Sequence, residues 1–244
     1  MKLSYIMQSY LGEYPGSREK SDIKFLRAVY SFINQDNKNS ELVIVSDGCE
    51  ITHMLYLKYF KSNARIKYVY VDKDTLNMYE GKQRFYRGFP RQVGRSLVTG
   101  EVTTYIDSDD FLIPNATDVL LKTWEIATRQ KEYGLCINLA WYDNVSINFQ
   151  DPVFSSLESD KNPIKIDGLD SKWISVKLKK GLVSYGTVAI SHLSNSPVKW
   201  KDVVGEKTED FVFGKGNKEY YKDLVFYISE PIYVRCHATK YWDY

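Results

Sequence analysis

The run Leu42-Val43-Ile44-Val45 constrains the fold of this 244-residue chain most strongly. A strand with no polar position must be covered on both faces, as strands are in parallel sheets sandwiched between helices. The surrounding pattern supplies such helices. Leu3 to Met7 reads as a first strand, and Ser21 as the cap of a helix with Phe25, Leu26, Val29, Phe32 and Ile33 on one face. A second helix is expected from about Thr52, carrying Met54, Leu55, Leu57 and Tyr59 before a stop at Lys61-Ser62-Asn63. Ile66 to Val71 is a third strand, Pro90 to Leu97 a helix ending near Gly100, and Val102 to Ile106 a fourth strand. Repeated β-α-β alternation predicts a mostly parallel sheet with right-handed crossovers.

The second half is less regular. Pro114 opens a helix through Leu120, Leu121, Trp124 and Ile126, and Leu135 to Trp141 reads as a strand. Residues 144–171 are rich in Asp, Asn, Ser and Pro and read as a long loop or insert, a length that in a compact domain suits a lid or binding segment. Val183 to Ile190 is expected as a strand, Glu209 to Lys215 as a short helix, and Leu224 to Ile228 and Ile232 to Cys236 as two late strands.

Charge says little about partners: 33 Lys+Arg against 31 Asp+Glu leave a net +2, which neither demands a polyanion nor excludes a local basic patch. A hydrophobic fraction of 43% excludes wholesale disorder. Cys49, Cys136 and Cys236 lack metal-ligand spacing and read as free thiols of a reducing compartment. The first residues enter a strand rather than a signal peptide, and no apolar stretch reaches the ~18 residues of a membrane span. The expectation is a cytoplasmic protein.

Behind the fourth strand stands Asp107-Ser108-Asp109-Asp110, three carboxylates at the carboxyl end of a strand, where open α/β sheets bind ligands. Such a cluster fits a divalent cation bridging to a phosphate, and equally a solvated turn capping a helix. Other segments recur at strand ends: Gln8-Ser9-Tyr10 after the first, Ser46-Asp47-Gly48-Cys49 after the second, and Arg91-Gln92-Val93-Gly94 before Gly100-Glu101. Thr208-Glu209-Asp210-Phe211 comes late, followed by Glu230-Pro231 and Arg235-Cys236-His237.

In this order and spacing the segments resemble the GT-A glycosyltransferases of the family 2 type, which invert configuration and use nucleotide sugars. The resemblance covers most of the chain and is weakest over 144–180. It implies an α/β, Rossmann-like central sheet with helices on both faces and a smaller C-terminal acceptor-side region. It implies one domain over 1–244, with a nucleotide-sugar-binding half (1–112) and an acceptor-side half (113–244) that carries a variable insert at about 144–180. It implies Gln8, Tyr10, Asp47, Arg91, Asp107 and Ser108 as donor contacts, with Tyr10 stacking on the base and Asp47 accepting from uracil N3–H. Asp109 would bind Mn²⁺ or Mg²⁺, joined by His237. Asp210 would be the general base, with Glu209 beside it as an acceptor contact.

Blander readings stand beside each: an Asp-Gly turn for Asp47, core or surface packing for Tyr10, a helix cap for Asp210, a structural histidine for His237. Lys82, Arg84, Arg87, Arg91 and Arg95, interleaved with Phe85, Tyr86 and Phe89, read as a solvated helix face plus one arginine near the diphosphate, or as a track for a polyanionic acceptor. The resemblance implies as acceptor either a saccharide of the cell-envelope kind or, as in phage members of this family type, a hydroxylated base of modified DNA. Two alternatives remain. A sugar-nucleotide nucleotidyltransferase would want a better phosphate loop than Gly12-Glu13-Tyr14-Pro15-Gly16-Ser17-Arg18. A non-catalytic nucleotide- or sugar-binding module could use the same fold.

Overall fold

The computed structural model describes residues 1–12, 20–72, 78–79, 82–83, 88–130, 134–142, 188–191, 197–200, 209–222 and 224–235. Strand β1 (Leu3–Ser9) leads to α1 (Ser21–Ile33), β2 (Ser40–Asp47), α2 (Glu50–Tyr59) and β3 (Ile66–Val71). Two short strands, β4 (Met78–Tyr79) and β5 (Lys82–Gln83), form a separate antiparallel pair. Then come α3 (Gly88–Leu97), β6 (Val102–Tyr105), β7 (Phe111–Leu112), α4 (Ala116–Gln130) and β8 (Leu135–Tyr142). The last elements are β9 (Val188–Ser191), α5 (Glu209–Tyr221) and β10 (Val225–Arg235).

Eight strands join in one sheet of order β3-β2-β1-β6-β9-β8-β10-β7. The first four run parallel, with Leu3 opposite both Ser40 and Val102 and Leu42 opposite Ile66. Beyond them β9 runs antiparallel to β6 and β8, and β10 lies parallel to β8. This is the α/β, mostly parallel core that the apolar β2 run demands. Cover on both faces is visible in two adjacent residues of β1, whose side chains point to opposite sides. Tyr5 meets Phe32 of α1 edge-to-face at 5.8 Å. On the other face, a Cβ at Gly94 of α3 would lie only 2.5 Å from Ile6 Cγ2, so the missing side chain is what lets α3 settle on β1.

Several expectations need correction. Ser21 does not cap α1: the cap position is Lys20, in the left-handed region at φ 53°, and Ser21 Oγ donates instead to the Leu11 carbonyl at 3.1 Å. Helix α5 runs on to Tyr221, well past Lys215. The two expected late strands are one, β10, whose pairing with β8 slips on either side of Pro231. β7 was not anticipated. The expected strand from Val183 begins, within the described residues, at Val188, and the 144–180 insert lies outside them.

Candidate active site at the carboxyl ends of the parallel strands

From β1 the chain steps outward to β2 and β3, then returns through α3 to place β6 on the other flank of β1. The reversal opens a crevice beyond the carboxyl ends of β1 and β6, the switch point where open α/β sheets bind ligands. Gln8, Asp47 and the Asp107–Asp110 turn all lie at this edge.

On the β2 side, Gln8 Nε2 donates to Asp47 Oδ2 at 3.1 Å, joining the ends of β1 and β2. Gln8 Oε1 is buried and has no hydrogen-bond partner among the described residues, which leaves an acceptor beside the carboxylate. Gly48 then turns the chain at φ 58°, a conformation that side chains disfavour. The turn is tied down by Gly48 N–H to the Val71 carbonyl at 2.8 Å and by Leu11 N–H to Cys49 Sγ at 3.2 Å. Tyr10 is half-buried, its ring folded against Gly12.

On the β6 side, the Asp110 N–H donates to the Asp107 carbonyl at 3.2 Å, closing a turn with Ser108 and Asp109 at its corner. Asp107, Asp109 and Asp110 each bring a carboxylate oxygen within 4.8 Å of the other two. Asp110 is buried, while Asp107 and Asp109 are partly open. Three hard oxygen donors at this spacing, two of them reachable from solvent, fit Mg²⁺ or Mn²⁺. Two arginines brace the turn. Arg27 of α1 donates to the Asp109 carbonyl at 2.8 Å and lies over the Phe111 ring at 5.0 Å. Arg91 of α3 reaches Asp107 Oδ1 at 3.4 Å.

Arg91 is only 4% exposed, and its guanidinium also lies 5.2 Å from the centroid of the Trp200 ring. Arg95 donates to the Val198 carbonyl at 2.6 Å. Two members of the basic stretch therefore turn inward rather than forming a surface track; the side chains of Lys82, Arg84 and Arg87 lie outside the described residues.

Glu209 and Asp210 are the first two residues of α5. Phe213, one turn on, packs against Tyr105 at 5.8 Å and stacks on Trp200 at 3.9 Å. Tyr105 stands two residues before Asp107, so Phe213, in the first half of α5, packs near the carboxyl end of β6. His237 lies outside the described residues. Sequence reasoning missed Arg27 and Trp200, because each acts across a wide separation that no local pattern encodes.

No family model matches this chain, and no curated protein sequence matches it either. Solved structures do. S. aureus TarS 1-349 superposes with a TM-score of 0.65 at 15% identity, over 97% of this chain and 60% of that one. Its complex with UDP gives 0.63 at 16% identity, over 97% and 61%. The complex with UDP-GlcNAc gives 0.61 at 16%, over 97% and 59%. The chain thus spans about 60% of the length of the TarS 1-349 chains it matches. Likeness at this identity establishes the α/β, GT-A-like fold.

Proposed function

We propose that the protein is a nucleotide-sugar-dependent glycosyltransferase, inverting and metal-assisted, with a UDP-sugar as its favoured donor. The observation that carries this reading is the convergence of the Asp107, Asp109 and Asp110 carboxylates at the switch point of a fold shared with a protein crystallised with UDP and UDP-GlcNAc.

In this reading residues 1–112 hold the donor. Asp47 accepts from the base N3–H, helped by the neighbouring Gln8 acceptor, and Tyr10 flanks the ring. Asp107 and Ser108 meet the ribose side, and Arg91 holds Asp107 in place rather than reaching the diphosphate itself. Asp109 is the cation's main ligand in the carboxylate group, with His237 as a further contact. The cation would neutralise charge on the departing diphosphate. Asp210 takes the proton from the acceptor hydroxyl as its oxygen attacks the anomeric carbon. The bond from that carbon to the diphosphate breaks in the same displacement, and the nucleoside diphosphate leaves with the electron pair. Glu209 contacts the acceptor, a saccharide or the hydroxyl of a modified DNA base.

The test is UDP release from UDP-GlcNAc with Mn²⁺, measured with oligosaccharides and with hydroxymethylated DNA as acceptors. Asp210→Asn should lower turnover by about 10²–10⁴-fold with donor affinity unchanged, the usual cost of losing a general base. Wild-type turnover in that variant removes Asp210 from the role, and an intact chain that binds no UDP removes the donor reading.

A further inference from the structure

We propose that Trp200 is a positioning residue that couples the donor-side carboxylate Asp107 to the first turn of α5. The inference rests on the donor and base assignments above. Residues Pro197 to Trp200 form a strap wedged between α3 and α5. On the α3 side, Arg95 holds the Val198 carbonyl, the Trp200 N–H donates to Gln92 Oε1 at 3.3 Å, and the Arg91 guanidinium lies over the indole. On the α5 side, the indole stacks on Phe213 with 11° between ring planes, and Val198 lies beside Gly216, where a Cβ would come within 3.1 Å of it. Tyr105 meets Trp200 edge-on at 5.0 Å, so the end of β6 floors the wedge.

These contacts make one path, Asp107 to Arg91 to Trp200 to Phe213. Asp210 and Glu209 precede Phe213 by three and four residues, so all three lie within the first turn and a half of one helix. Arg91 is a buried cation whose balance of contacts includes a carboxylate and a π face. A donor or cation that draws on the Asp107 charge changes that balance, and the flat Trp200–Phe213 contact passes the change to the helix carrying the base. A leucine at 200 would fill much of the volume but offer neither the π face nor the stack.

Titration of the intact chain with UDP and Mn²⁺, followed by tryptophan emission, tests the donor-side link. The chain has five tryptophans. Trp200→Phe should bind UDP within about twofold of wild type yet lose most of the UDP-induced emission change. A variant signal equal to wild type overturns the coupling. The acceptor-side link is tested by turnover with the acceptor that supports it. Trp200→Leu should lower kcat by about 10–100-fold with little change in donor KM, as misplacement of a reacting group does, and Trp200→Phe should recover most of it. Combined with Asp210→Asn, Trp200→Leu should add little further loss, because both act through one group. Normal kcat in Trp200→Leu with only a lower Tm, or losses that multiply in the double variant, overturns the inference while leaving the base reading intact. A fully active Asp210→Asn, or no UDP binding by the wild type, instead brings down the reading on which it rests.

Discussion

Glu41 and Asp47 lie near opposite ends of β2, and their carboxylates play different parts. Glu41 is buried at the amino end and accepts from Ser4 Oγ at 2.7 Å, Thr99 N–H at 2.5 Å, Thr99 Oγ1 at 2.9 Å, and the Lys2 and Lys67 ammonium groups at 2.8 and 3.1 Å. Burial alone would raise its pKa, but the hydrogen bonds and cations outweigh it and hold it down at about 2. A depressed carboxylate pKa stabilises the fold above the unfolded value of about 4.5, and that stability fades as pH falls toward 2. Glu41→Gln should therefore cost on the order of 2 kcal/mol at pH 7, discounted for the part-exposed lysines, and nearly nothing at pH 2. Denaturant melts of both proteins across that range check it; a gap independent of pH would refute the charge account. Asp47 accepts from Gln8 Nε2 at the crevice edge, and in the proposed function its part is selectivity. Calorimetry should find UDP bound more tightly than ADP or CDP, with Asp47→Ala removing the preference. Equal affinities in the wild type would reduce Asp47-Gly48 to a turn.

The elements answer to a balance between helix propensity and packing. Replacing a helix-interior glycine by alanine ordinarily gains up to about 1 kcal/mol. At Gly94 the new methyl would meet Ile6 Cγ2 at 2.5 Å and Val45 Cγ2 at 3.2 Å, both in the core between α3 and the sheet. Overpacking costs about 1–3 kcal/mol, so the sign reverses and Gly94→Ala should lower Tm by a few degrees. An unchanged or raised Tm would mean that α3 lifts off the sheet without penalty. The same competition explains what could be read in the sequence. β1, β2, β3 and β6 were legible as short runs rich in apolar and β-branched residues, α1 and α4 because one face repeats, and α3 as a segment closed near Gly100. α5 was cut short in that reading because Gly214, Gly216 and Asn217 break the periodicity. In the fold Gly216 makes room for Val198, and the Asn217 side chain is satisfied by the Phe213 carbonyl at 2.9 Å. β10 was divided because Pro231 cannot donate to a ladder; the strand absorbs it as an irregularity in its pairing with β8. The aspartates of the candidate site were legible because Asp107, Asp109 and Asp110 fall within four residues directly behind a strand. Arg27 and Trp200 were not, since Arg27 and Asp109 stand 82 residues apart and Trp200 meets α3 from 108 residues beyond Gln92.

At the scale of the whole molecule, the crevice is built from segments far apart in the chain, so a ligand seated in it binds only the folded state. The carboxylate turn draws on β6, α1 and α3 together, through Arg27 on the Asp109 carbonyl and Arg91 on Asp107. Three carboxylate oxygens this close repel one another and repel a diphosphate, so donor binding and cation binding should be linked. A ligand at ~100 times its Kd adds about 2.7 kcal/mol to native stability, which for a chain of this size raises Tm by about 5–10 °C. UDP with Mn²⁺ should give such a shift in a thermal melt, and UDP in EDTA should give little. Asp109→Ala should lose the shift with its ligand-free Tm unchanged or slightly higher. Truncation leaves the Arg27 bond to the main-chain carbonyl in place and removes one repelling charge. The same UDP shift in EDTA as in Mn²⁺ would show that the donor binds without a cation, leaving the carboxylates to be balanced by the two arginines. A ligand-free Asp109→Ala that melts several degrees lower would make the carboxylate a structural part of the turn instead.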